Sequence, residues 1–240
     1  MRKLSIFLML LALMAFCFAQ PVVAQEEEDG KPVNFSLYNP AQIFDDASSI
    51  EGFRFNLFYG VNHDMTGFDL GLGNRTKGDM KGAGIGLTNM VCNDFEGCQL
   101  SAGNIVSGAS SGLQLGALAN TVGKDFKGFQ LGAANVVSGS GYGIQLGAVN
   151  YVGKDFKGFQ LSALNVVREF GGGFQVGAYN YAKEFSGMQI GAINYTQESN
   201  GMAIGAINYT EYLDGIQLGV LNFKMCDEPL DFFPVINFSF

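Results

Sequence analysis

The sequence predicts an all-β repeat protein built from short strands, and two observations carry that prediction. The first is a nine-residue motif, Gly-Φ-Gln-Φ-Gly-Ala-Φ-Asn-Φ with Φ apolar, that returns at a near-constant period. The second is composition: 34 glycines and 5 prolines in 240 residues, no tryptophan, 48 % apolar and 15 % charged residues. An ordinary globular chain carries about 7 % glycine and 25 % charge. The apolar content excludes a disordered chain, and scattered glycine without a three-residue period excludes collagen. A formal charge of −8 argues against nucleic acid, whose phosphates need a basic face.

Residues 1–24 read as a secretory signal peptide. Arg2 and Lys3 open it, Leu4 to Phe18 is apolar apart from Ser5, and Val22-Val23-Ala24 precedes Gln25 as a cleavage site does. The apolar run is shorter than the roughly 20 residues of a membrane-spanning helix. Bulky Phe16 stands before Cys17, where lipoprotein processing needs a small residue. Residues 25–32, with Glu26, Glu27, Glu28 and Asp29, are expected to form an acidic mobile N-terminus, followed by a single β-repeat domain over 33–240.

Within that domain Val33 to Tyr38 reads as a first strand. Repeat units follow from Gly52, Gly67, Gly82, Gly97, Gly112, Gly128, Gly143, Gly158, Gly173, Gly187, Gly201 and Gly215, spaced 14 to 16 residues apart. The Gly112 unit has an extra residue before Asn120, and Ala203 replaces Gln in its unit. Each unit is too short and too rich in Gly for a packed helix with its connections. Val, Ile, Phe and Tyr fill the motif as in strands, while GKDFK (123–127 and 153–157) and SGSGY (138–142) supply turns. Phe232 to Phe240 adds a last strand, for about 14 in all.

The phase of the motif constrains the architecture. With the opening Gly as position 0, apolar residues fall at 1, 3, 6 and 8, Gln at 2 and Asn at 7. Strict alternation would split the apolar set between two faces. A bulge or corner at the Gly-Ala pair, positions 4 and 5, restores one apolar face. Two architectures fit. In an antiparallel outer-membrane-type barrel the apolar face points to lipid and Gln and Asn line the inside. In a β-solenoid with about 15 residues per coil, Phe129, Leu131, Ala134 and Val136 point inward and stack on their equivalents.

Four features favour the barrel, and it is the leading expectation. The strand count is even. Tyr151, Tyr181, Tyr195, Tyr209 and Phe223 recur at position 8, where up-and-down strands would carry them to both girdles. Successive turns partly alternate. Phe232, Ile236, Phe238 and Phe240 alternate to a terminal aromatic, which resembles the assembly signal of outer-membrane barrels. Uniformly short turns and near-constant unit length favour the solenoid as the alternative.

No candidate catalytic, cofactor-binding or metal-binding residue emerges. Cys92 and Cys98 flank a turn, and a hairpin centred on Phe95 would let them form a local disulfide, with two free thiols as the alternative. His63 is the only histidine, so neither a zinc site nor a serine-histidine-acid constellation is supported. GAGIG (82–86) and GSGYG (139–143) precede no helix and do not read as phosphate loops. Asp125 and Asp155 sit beside lysines and read as turn charge, not calcium ligands. Asp45 and Asp46 are neighbours that point apart on an extended chain. The asparagines recurring once per unit, Asn89 to Asn222, read as structural partners of backbone groups in preference to a pore lining. Asn194-Tyr195-Thr196 matches a glycan sequon only through the repeat.

The segment NFSLYNPAQIFDDASSIEGFRFNLFYGVNHDMTGFDLGLGN, the GFQLGAxN units and the terminal FPVINFSF together resemble a family of exported bacterial surface-repeat proteins with GxQLGxxN repeats. The resemblance spans roughly residues 33 to 240. It implies surface or envelope location in a bacterium with an outer membrane, and no enzyme activity; the barrel reading adds outer-membrane lipid as the expected partner and a structural, pore-like or adhesive role without catalysis. A soluble surface β-solenoid acting as adhesin or envelope scaffold is the alternative. The resemblance transfers no cofactor and no small-molecule substrate.

Overall fold

The computed structural model describes residues 30–225 and 231–239; the expected signal peptide, Cys17, Glu26 to Asp29, Cys226 and Phe240 lie outside the described residues. The first strand begins at Lys31. The protein is all-β, and the alternative architecture is the one it adopts. Each unit pairs in parallel with the next at the repeat period: Gly128 lies beside Gly112, Gly143 beside Gly128, and Gly158 beside Gly143. This is a β-solenoid. The antiparallel barrel is not formed, because every unit winds one full coil and places each residue over its own equivalent.

The corner sits where the motif phase requires it. The strand breaks between Leu146 and Val149, and pairing slips at Gly116/Ala119 and Ser101/Gly103. Positions 1, 3, 6 and 8 therefore share one surface, but that surface is the outside. Leu131 is 45 % exposed, while Gln130 and Asn135 are fully buried. The expectation that Phe129, Leu131, Ala134 and Val136 point inward is thus reversed.

The reason lies in the corner itself. At the corner the position-3 carbonyl accepts the position-4 amide of the preceding coil, as in Gly147 N to Leu161 O at 3.0 Å, and its second lone pair takes a further donor from the interior. Asn at position 7 supplies it. Asn135 Nδ2 donates to Leu146 O at 2.9 Å and to Asn150 Oδ1 at 2.9 Å. The same link runs from Asn56 through Asn74 and onward to Asn222 without interruption. Gln side chains form a second ladder from Gln99 to Gln189, each Nε2 donating to the preceding coil's Oε1. The Asn ladder donates toward the C-terminus and the Gln ladder toward the N-terminus, so their amide dipoles oppose.

Opposite the corner the interior is apolar. Phe95, Phe126, Phe156 and Phe185 stack in one column with Ser110, Gly141 and Gly171 between them, beside a column that includes Val122, Val137, Val152 and Val167. A phenyl ring needs more room than the roughly 4.8 Å between strands, so each Phe takes space from its neighbours. A Cβ at Gly141 would stand 2.8 Å from the Phe156 ring. This packing explains the alternation of turn sequences, which therefore does not mark two ends of a meander.

Both ends are closed. At the start, Lys31–Tyr38 pairs in parallel with Ile50–Asn62 and antiparallel with Ala41–Gln42. The position-2 column here holds Arg54 and Asp69, fully buried and joined in a two-pronged ion pair of 2.9 and 2.5 Å. Arg54 also donates to Arg75 O, Asn62 and Thr76. At the other end Asp231–Ser239 lies antiparallel on the Gly215 coil. Asn237 donates to Gln217 Oε1, and Asn222 donates to Phe233 O. The C-terminal strand thus terminates both amide ladders and acts as a cap.

The Gln ladder has one interior fault. Ala203 stands where Gln is expected, and the buried Gln189 Oε1 has no hydrogen-bond partner. Ala203→Gln is expected to restore the missing donor and raise stability by about 1 kcal/mol, the net worth of one buried hydrogen bond. A thermal melt checks this: the midpoint should rise, and a fall would show that the site has no room for the amide.

Candidate functional site

The feature that the fold assembles for interaction is its outer surface. From the Gly82 coil to the Gly215 coil, positions 1 to 8 contain no Asp, Glu, Lys or Arg in any of ten consecutive coils. Their outward side chains are apolar or small. Leu100, Leu131, Leu161, Phe174 and Ile190 project from one side of the corner, Ile193 from the other, and alanines such as Ala133, Ala148 and Ala163 cover the corner between them. Charge lies in the turns, such as Lys124-Asp125 and Lys154-Asp155, and at the border of the wedge just before the motif, as Lys127 and Lys157. At about 4.8 Å per coil the apolar wedge is roughly 45 Å long. Backbone hydrogen bonds run from coil to coil, so the wedge presents side chains and not unpaired amides.

The position-8 aromatics form one column on this wedge. Tyr181 stacks on Tyr195 at 5.5 Å between centroids, and Tyr195 on Tyr209 at 4.7 Å. They do not form two girdles, because parallel coils place every position 8 over the last. On the other side, Tyr142, Ile144, Phe159, Phe170 and Phe174 line a shallow groove of about 530 Å³. It opens where Gly172 and Gly173 carry no side chains. Lys157 borders it, with Nζ 5.6 Å from the Phe170 ring centroid.

The residues singled out from sequence have structural partners. Asp125 Oδ1 accepts from Ser140 N, and Asp155 Oδ1 from Phe170 N, so each KDF aspartate caps the next coil's turn. Asp45 accepts from the Ser48 hydroxyl and from the Ser48 and Ala47 amides, and that Ser48 hydrogen bond chiefly holds its carboxyl below the ordinary value. Asp46 pairs with Lys77 at 2.8 Å. His63 Nδ1 lies 3.1 Å from Asp64 Oδ2 at the surface, and Asp64 Oδ1 also accepts from Asp79 N. No disulfide joins Cys92 and Cys98. No hairpin centred on Phe95 exists; Asn93 and Asp94 form the turn between coils and Phe95 enters the core.

GAGIG and GSGYG are strand and turn segments of successive coils. Asn194 is buried in its ladder, out of reach of a glycan-transferring enzyme. The asparagines are packed against one another and enclose no channel. Among the described residues no group of three or more His, Cys, Asp or Glu could hold a metal ion, and no helix is long and apolar enough to cross a membrane.

Two functional placements were not read from sequence. Gly60 occupies the Asn position of its coil, and Asn56, from position 4, fills the gap and starts the ladder. Arg54 and Asp69 replace Gln in consecutive units; opposite charges in one stacking column were the available signal. No family model, curated protein or solved structure matches this chain.

Proposed function

We propose that this is a non-catalytic protein of the bacterial envelope whose solenoid lies on a lipid surface, with the apolar wedge in the hydrocarbon boundary and the charged turns in water. One observation carries this: the uncharged apolar surface persists through ten coils and wraps both sides of a convex corner. A flat partner covers one side of such a wedge, whereas a fluid apolar medium covers both. Exposed apolar patches well beyond a few hundred Å² mark interaction surfaces. The amphipathic logic is that of an interfacial helix, transferred to a β-solenoid.

Flotation with neutral phosphatidylcholine vesicles tests the reading. The protein is expected to float with the vesicles, and Leu131→Glu with Leu161→Glu to reduce the floated fraction several-fold while the β-sheet circular dichroism is retained. Both leucines are exposed, so the fold tolerates the change. Equal flotation of wild type and variant would overturn the proposal.

A further inference from the structure

We propose that the central coils select anionic lipid, seating an acyl chain in the Tyr142–Phe159–Phe174 groove and its headgroup phosphate between Lys127 and Lys157. This inference rests on the lipid-lying reading and names the headgroup that reading leaves open. Position −1 of each coil borders the apolar surface. In three consecutive coils it holds Lys127, Tyr142 and Lys157, which pair side by side. All three are exposed. The two lysines are two coil steps apart, roughly 10 Å between backbones, a span that their long stems close over one phosphate. Lys side chains lay their methylenes on apolar surface and keep the ammonium in water, and Tyr is the aromatic that tolerates the same boundary.

The local charge supports the choice. Residues 111–172 carry five cations (Lys124, Lys127, Lys154, Lys157, Arg168) against three anions (Asp125, Asp155, Glu169), a net of +2 in a chain of −8. Asp125 and Asp155 are turned to the backbone of the following coil. Among the described residues, neither Lys127 nor Lys157 forms an ion pair. The cations are therefore available to an outside anion; Lys157 lines the groove of about 530 Å³, and Lys127 pairs beside Tyr142 at its border. A phosphodiester with a hydrocarbon tail matches both parts.

Co-sedimentation with two vesicle types tests this: pure phosphatidylcholine, and phosphatidylcholine with about a third phosphatidylglycerol. A chain of net −8 is expected to avoid an anionic surface unless a local site reverses the preference. The full-length protein should bind the anionic vesicles roughly tenfold more tightly, given about 1 kcal/mol per Lys near such a surface. Lys127→Glu with Lys157→Glu should remove that increment. Lys183→Glu, on the other edge, should retain it. Raising salt to 0.5 M should suppress it in the wild type. Equal binding to both vesicle types would overturn the headgroup assignment and spare the lipid-lying reading. Failure to bind either type would overturn both, and a dimer that excludes vesicles would assign the groove to a second copy.

Discussion

Gly143→Ala is expected to abolish the folded solenoid or cost more than about 4 kcal/mol, the range reserved for backbone-level conflicts. Two penalties coincide at this position. Gly143 has φ of +131°, a conformation that an L side chain rarely adopts. A Cβ there would also overlap the carbonyl oxygen of Gly128, which is backbone and has nowhere to move. Twelve glycines, one per coil from Gly52 to Gly215, share this left-handed conformation. They let consecutive coils stack main chain on main chain at the entry to each motif. Gly103→Ala is the control, since a Cβ at Gly103 meets nothing within 4 Å. Urea unfolding followed by circular dichroism compares the pair. The control should stay within about 1 kcal/mol of wild type, and equal midpoints for the two variants would refute the backbone-stacking account.

That contrast separates what was legible in the sequence from what was not. The period, the strand character and the corner at Gly-Ala all follow from spacing and phase, and the structure has each of them. The special backbone glycine, however, is position 0 and not the corner. Ser101 and Ser162 occupy the corner position in their coils, where each hydroxyl donates to the ladder asparagine. Sequence phase also fixes only which residues share a face. It does not say which face is inside. Ordinary burial preferences put Phe129 and Leu131 in the core, and those preferences lose here because the interior at the corner is filled by side-chain amides that give the corner carbonyl a second donor and link one coil to the next. The apolar surface was legible as one face of the motif, but its position on a solenoid depended on that inversion. The fault at Ala203 was visible as a departure from the motif; its consequence for Gln189 needed the stacking direction.

Asn135→Leu tests the inversion directly, because it offers the interior an apolar group of similar size. If burial of hydrocarbon were the dominant interior requirement, the variant would gain about 1.5–3 kcal/mol. The ladder predicts the opposite. Removing the amide leaves Asn150 Oδ1 without its donor and one hydrogen of Asn120 Nδ2 without its acceptor, and takes the side-chain donor from Leu146 O. Each orphaned buried group costs about 1–3 kcal/mol, so against the burial gain the expectation is a net loss of up to about 4 kcal/mol. The effect should exceed the local sum if the amides polarise one another along the column, and Asn120→Leu would then measure less when added to Asn135→Leu than alone. Leu131→Gln is the mirror experiment: the same coil, the next strand face, a polar group placed outside. With Leu131 exposed to 45 %, that change should cost under about 1 kcal/mol in detergent-free buffer. Equilibrium denaturation of both variants decides the matter. A stable Asn135→Leu would mean that hydrocarbon serves the interior as well as the amide does, and the outward placement of the greasy positions would lose its cause.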